Sequence, residues 1–173
     1  MENHITEEAR NIFVVGLRNA HAMENQALSI MKPQVDSVEN YPEVAQRLEQ
    51  HVSETEGQIR RIETVLDDLG EDSSSLKDTA LSAVGSLTAM GHSMAGDEIL
   101  KNSFANFAFE NYEIAAYRSL ITLAQDAGFE NSVGPLNENL AEEEAMAKWL
   151  EDNLPTVTHR YLELSEAGHI AKA

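Results

Sequence analysis

Six residues in this chain have the types and spacing to hold cations together: Glu24, His51, Glu54, Glu110, Glu113 and Glu143. Four of them, Glu24, His51, Glu110 and Glu143, each fall in a row of otherwise apolar residues that steps by alternating threes and fours. Such a row faces the core of a helical bundle. A lone carboxylate buried in apolar surroundings is expensive, and takes up a proton or is selected against. One ionisable residue per row therefore points to a shared cation that offsets the cost. Glu54 lies three positions after His51 and Glu113 three after Glu110. On a helix these pairs sit about 60° apart and can reach one centre. Carboxylates with an imidazole suit divalent iron, manganese or zinc. Six donors is about what two bridged ions take from a bundle.

The rows are Phe13, Leu17, Ala20, Glu24, Ala27, Met31; then Val44, Leu48, His51, Thr55, Gln58, Ile62, Val65, Leu69. The third is Phe107, Glu110, Ile114, Tyr117, Ile121, Ala124, and the fourth Leu136, Leu140, Glu143, Ala147, Leu150, Leu154. Strand signals are nearly absent. The spacing predicts helix A over about Thr6–Met31, with Thr6 as N-cap and Pro33 as a stop. Helix B is expected from Pro42 to Gly70, helix C over about Asp97–Ala127 ending at Gly128, and helix D over about Glu130–Asn153, before Pro155. Residues 155–173 form a short helix or a tail. A short helix over about Ser75–His92 is expected inside the long B–C connection. Short A–B and C–D links make antiparallel hairpins, and the long link makes B and C parallel. The fold class is all-α, an antiparallel four-helix bundle of ferritin-like topology in a single domain over 1–173, with its core at about 6–154.

Each polar residue also has an ordinary reading. His51 alone fits a hydrogen-bonded core histidine. Tyr117 fits a core aromatic with a bonded hydroxyl, or a second-layer donor one turn from Glu113. Thr55 and Gln58 either orient ligands or bond to backbone. In the run Glu142, Glu143, Glu144 the middle member falls in the seam, and a shift of phase would exchange it for a neighbour. His21, His92, His159 and His169 lack partners at ligand spacing. Met23, Met31, Met90, Met94 and Met146 read as core filler.

Bulk composition narrows the field. The 173 residues suffice for one domain with a real core, and 42% are apolar. With 30 acidic and 12 basic residues the formal charge is −18, which repels nucleic acid and anionic lipid. The absence of cysteine excludes disulfide scaffolds, thiolate zinc sites and iron–sulfur clusters. Residues 1–10 are polar and acidic, unlike a signal peptide, and no apolar run is long enough to span a bilayer. A cytoplasmic location is the expectation.

Four stretches resemble the bacterial YciE/YciF-type ferritin-like stress proteins. They are Asn19-Ala-His-Ala-Met-Glu-Asn-Gln-Ala-Leu28, His51-Val-Ser-Glu-Thr-Glu-Gly-Gln-Ile-Arg60, Glu110-Asn-Tyr-Glu-Ile-Ala-Ala-Tyr117 and Leu140-Ala-Glu-Glu-Glu144. The resemblance covers about residues 10–153. It implies a dimetal bundle, often a homodimer, with no firmly assigned reaction, and supports the same six ligands. The chain departs from ferritins proper at two places and from many members of the resembled family at a third. His51 precedes Glu54, in reverse of the usual Glu-x-x-His order; Met146 stands where a second such histidine would sit; and Asn111 follows Glu110, where family members often carry histidine.

Two functions follow as expectations. One is a stress-related di-iron or di-manganese oxidoreductase, or a metal-handling protein, acting with dioxygen or peroxide through an unidentified redox partner. The other is a non-catalytic dimeric bundle serving as a binding or scaffold module with a structural or vestigial metal site. A weaker third is an acidic cation buffer that does not depend on the six residues.

Overall fold

The computed structural model describes residues 6–72 and 98–171. Among these are four helices and no strand: α1 (Glu7–Ser37), α2 (Pro42–Asp68), α3 (Glu98–Ala127) and α4 (Glu130–Glu166). The expected short helix at Ser75–His92 and the path of the long connection lie outside the described residues. No described helix is long and apolar enough to cross a membrane.

Local chemistry explains the helix ends. The Thr6 hydroxyl accepts from the Ala9 N–H at 3.1 Å and caps α1. Pro42 opens α2 with its ring already at a helical φ. Gly70 and Gly128 take φ of 76° and 85°, a left-handed conformation that lets the chain turn back. Glu71 N–H then bonds to the Leu66 carbonyl at 3.0 Å, and Phe129 N–H to that of Ala124 at 2.7 Å.

Two expected boundaries are corrected. Helix α1 continues through Pro33 to Ser37, and α4 through Pro155 to Glu166. A proline inside a helix removes one backbone bond. Pro33 and Pro155 are both on the solvent face, as are Ser29 and Glu151, four residues earlier, whose carbonyls lose that bond. Water can serve those carbonyls. Beyond Pro155, Val157 and Leu164 are buried, and their packing favours more helix. The last segment is tied down as well. Tyr41 Oη donates to the Ala171 carbonyl at 2.6 Å, and Asn40 Nδ2 to that of Ile170 at 3.1 Å.

Cross-links give the helix directions. Arg10, near the start of α1, reaches Leu69 and Glu71 at the end of α2, so these helices are antiparallel. Phe13 stacks on Phe129 at the α3–α4 turn, with ring centroids 4.7 Å apart, while Gln34 pairs with Asn106 near the start of α3. Thus α1 and α3 are antiparallel too, and α2 runs parallel to α3, as expected. Gly16 lets these helices approach closely: an added Cβ would lie 2.7 Å from Leu120 Cδ2.

The α1 row is buried throughout, and the α2 row is buried except for half-covered Leu69. The α3 row needs one correction. Phe107 is exposed, and Asn106 and Ser103 are buried in its place. Asn106 exchanges two hydrogen bonds with Gln34, at 2.8 and 3.2 Å, and this pairing holds it inward. In α4, Leu140 and Leu154 are half-buried, and Asn139 is fully buried.

Candidate metal centre

Two apolar clusters close the ends of the bundle. One gathers Phe13, Leu17, Ile62, Leu66, Leu120 and Leu136. The other gathers Met31, Leu48, Ile99, Met146 and Leu150. Residues of the ionisable layer lie between these along each helix: Glu24 falls between Met23 and Ala27, and His51 between Leu48 and Ile62. Helical spacing makes Glu24, His51, Glu110, Glu113 and Glu143 face inward, and each is at most 2% exposed.

The layer converges. His51 Nε2 is 3.2 Å from Glu110 Oε2 and 3.4 Å from Glu143 Oε2. Donor atoms of these three residues, from three helices, all lie within 4.8 Å of one another. Glu24 and Glu113 belong to the same electrostatic group. Burial lifts the Glu24 carboxyl well above the carboxylate range, and the Glu143 charge adds to this. Burial likewise raises Glu113, helped by Glu24, Glu143 and Glu110. Glu110 is raised by burial to about 8 against the pull of His51. For His51 burial opposes the charge, but bonds to Glu110, Glu143 and Glu54 outweigh it and push the imidazole up to about 12. Its imidazolium thus supplies positive charge where a cation would.

Glu54 is positioned differently. Its Oε2 lies 2.8 Å from His51 Nδ1, on the outer side of the ring, and it also takes bonds from Arg47 at 3.0 Å and Gln50 at 2.7 Å. Burial alone would raise this carboxyl, but the bonds from His51, Arg47 and Gln50 hold it at about 2. A carboxylate only accepts, so Nδ1 carries a proton and Nε2 is turned to the centre. A carboxylate on the far nitrogen is the usual device that fixes a metal-binding imidazole.

The other residues singled out by spacing divide clearly. Tyr117 donates its hydroxyl to Glu24 Oε1. Thr55 bonds to the His51 carbonyl at 2.9 Å, which is the backbone alternative. Gln58 is fully buried with neither amide atom bonded. The helix phase selects Glu143: Glu142 pairs with Arg61, and Glu144 with Arg118 on the surface. His21 has partners that its spacing did not reveal, Glu63 at 3.2 Å and Asn25 at 3.4 Å. His159 and His169 are exposed, while His92, Met90 and Met94 lie outside the described residues.

Spacing also missed Arg61, Asn139 and Arg47. Asn139 stands one turn before Glu143, a signal that was available. Arg61 and Arg47 carry no such signal, since a charged residue beside a seam is normally solvated.

The donor set fits a cation. Among the described residues, Glu24 Oε2, Glu143 Oε1 and both oxygens of Glu113 are buried without a hydrogen-bond partner, and Glu110 Oε2 and Glu143 Oε2 face only His51 Nε2, at 3.2 and 3.4 Å. Buried polar atoms are nearly always satisfied, so a cluster of this size marks a missing partner.

A family model described as a domain of unknown function, DUF892, matches residues 8–163. Protein YciF of Escherichia coli (strain K12) is 29% identical over 145 residues, covering 78% of this chain and 83% of its own. A crystal structure of a protein from Xanthomonas campestris pv. campestris superposes with a TM-score of 0.76 at 30% identity, covering 91% of this chain and 99% of that one. The crystal structure of the E. coli stress protein YciF gives a TM-score of 0.67 at 24% identity, covering 86% and 96%, a likeness of fold.

Proposed function

The chain belongs to the DUF892 family, and from that premise and its buried donors we propose that it binds two divalent metal ions, iron or manganese, for redox chemistry with dioxygen or peroxide. The observation that carries this reading is the set of unpartnered carboxylate oxygens between the two apolar clusters. Glu24, Glu110, Glu113 and Glu143 would hold the ions with His51 Nε2, and Glu54 would orient the imidazole from outside. Oxygen donors with one imidazole favour iron and manganese over softer ions. Bound there, such ions supply a redox couple and polarise an oxygen ligand. The protein contributes a buried site in which the raised carboxyls of Glu24, Glu110 and Glu113 would exchange protons for cations. The relative named as a stress protein supports a stress-related role.

Met146 occupies the position of a second imidazole and is fully buried. This asymmetry favours, as a second reading, a structural or vestigial ion in a non-catalytic bundle.

Metal-free protein titrated anaerobically with iron(II) or manganese(II) is expected to take up about two equivalents per chain. Glu24→Ala and Glu110→Ala should lose this uptake while retaining helical circular dichroism. A folded wild-type chain that stays empty under every loading ends the metal reading. Peroxide or oxygen consumption by loaded wild type, absent in Glu110→Ala, separates the redox role from a structural one.

A further inference from the structure

Arg61 on α2 and Glu142 on α4 form an ion pair at the bundle surface. The same guanidinium also reaches inward, where its Nε donates to Asn139 Oδ1. Asn139 is fully buried. Its Nδ2 donates to Tyr117 Oη at 2.9 Å, with a longer contact to the Gln58 carbonyl at 3.4 Å. Tyr117 Oη donates in turn to Glu24 Oε1.

The direction of every link follows from the first. A guanidinium has donors and no acceptor, so the Asn139 atom facing it is the carbonyl oxygen. The amide NH₂ must then face Tyr117, and an NH₂ group cannot accept a bond. The tyrosine oxygen therefore receives, and its single proton is directed to Glu24. Oε1 of Glu24 is thereby engaged, and Oε2 is left buried and unpartnered.

We propose that Arg61 is a positioning residue for the buried centre: through Asn139 and Tyr117 it determines which oxygen of Glu24 is offered to a cation. The relay rests on the metal-binding reading only in taking Glu24 as a ligand. Its geometry exists in the metal-free chain. Without Arg61 only the longer contact to the Gln58 carbonyl at 3.4 Å holds the Asn139 amide, and its oxygen can turn inward at little cost. The hydroxyl proton is then shared between two acceptors, and Glu24 loses its fixed orientation. Outer partners of this kind typically contribute about 10–100-fold to metal affinity.

The full-length chain provides two separable measurements. In metal-free protein, proton NMR should show a downfield, slowly exchanging hydroxyl resonance that disappears in Tyr117→Phe. Arg61→Met should shift or broaden it, and Arg61→Lys, which still offers a donor, should restore it. Asn139→Asp provides a second perturbation from inside: an acceptor facing the hydroxyl competes with Glu24, and the resonance should shift as in Arg61→Met. In cobalt(II) titrations, Arg61→Met should keep the wild-type stoichiometry, bind one equivalent about 10–100-fold more weakly and alter the visible spectrum. Absence of the resonance in wild type, or a resonance indifferent to Arg61→Met and Asn139→Asp, overturns the relay whatever cobalt does. A wild type that takes up no cobalt but shows the expected NMR changes overturns the metal reading and supports Arg61 as the residue that orients Glu24.

Discussion

Near the α3–α4 turn, Phe13 lies against Phe129, and Leu17, Ile62, Leu66 and Leu136 fill the space between the helices. Further along α1, at Glu24, the same four helices bring carboxylates and an imidazole into contact. Both regions are buried to the same degree. Apolar burial stabilises the first by about 1.5–3 kcal/mol per large side chain. In the second, desolvation opposes the fold and raises the carboxyls of Glu24, Glu110 and Glu113, which favours their protonated forms. Stability and the candidate site are thus divided along the bundle axis, with packing at the ends supporting an unfavourable middle.

The largest effect should come from the apolar end. Phe13→Ala removes a fully buried ring and should cost about 3–5 kcal/mol in urea or thermal unfolding. A cost under 1 kcal/mol would show that this end is not well packed. Next comes the cation itself. Saturating iron(II) or manganese(II) should stabilise wild type by about 2.7 kcal/mol at a hundredfold excess over Kd, and leave Glu110→Ala unmoved.

Substitution in the middle should act with the opposite sign. Glu113→Leu should stabilise metal-free protein by about 1–3 kcal/mol, by removing two buried oxygens that lack partners. It should also abolish the stabilisation by metal. A loss of metal-free stability would show that Glu113 already has a favourable partner.

The pH profile sharpens the same contrast. Glu110 has its carboxyl raised to about 8 in the folded chain, so between about 4.5 and 8 the folded state keeps a proton that the unfolded chain releases. His51, raised to about 12, does the same from about 6.5 upward. Both make metal-free stability fall as pH rises. Glu54, held at about 2, contributes above about 4.5 and is lost as pH falls towards 2. Metal-free protein should therefore be most stable in mildly acid solution, and bound cations should move that optimum upward. Thermal unfolding across pH checks both parts; a metal-free optimum above pH 8 contradicts them. The smallest effect is at the rim, where Thr6→Ala should cost about 1 kcal/mol by removing the α1 cap, with metal binding intact.

Much of the site was legible before any tertiary structure, because helical phase is a local property. A period of about 3.6 residues turned Glu24, His51, Glu110 and Glu143 inward whatever lay opposite, and Glu113 came with Glu110 at the next turn. The glycine stops at 70 and 128 were legible for the same reason, since a left-handed residue ends a helix through its own backbone. Phase alone failed where a neighbouring helix chose between adjacent residues. Asn106 displaced Phe107 because Gln34 stood across from it, and Asn139 displaced Leu140 because Tyr117 and Arg61 did.

The amino-acid order by itself determined four amphipathic helices, their reversals, and an ionisable residue on each inner face, since these follow from backbone geometry and residue type. Tertiary structure decided what those residues meet. It placed Glu54 on the outer nitrogen of His51, carried α1 and α4 past solvent-facing prolines, and joined Arg61 to Glu24 through two buried side chains. Each of these depends on distances between segments far apart in the chain, which arise only when the helices pack.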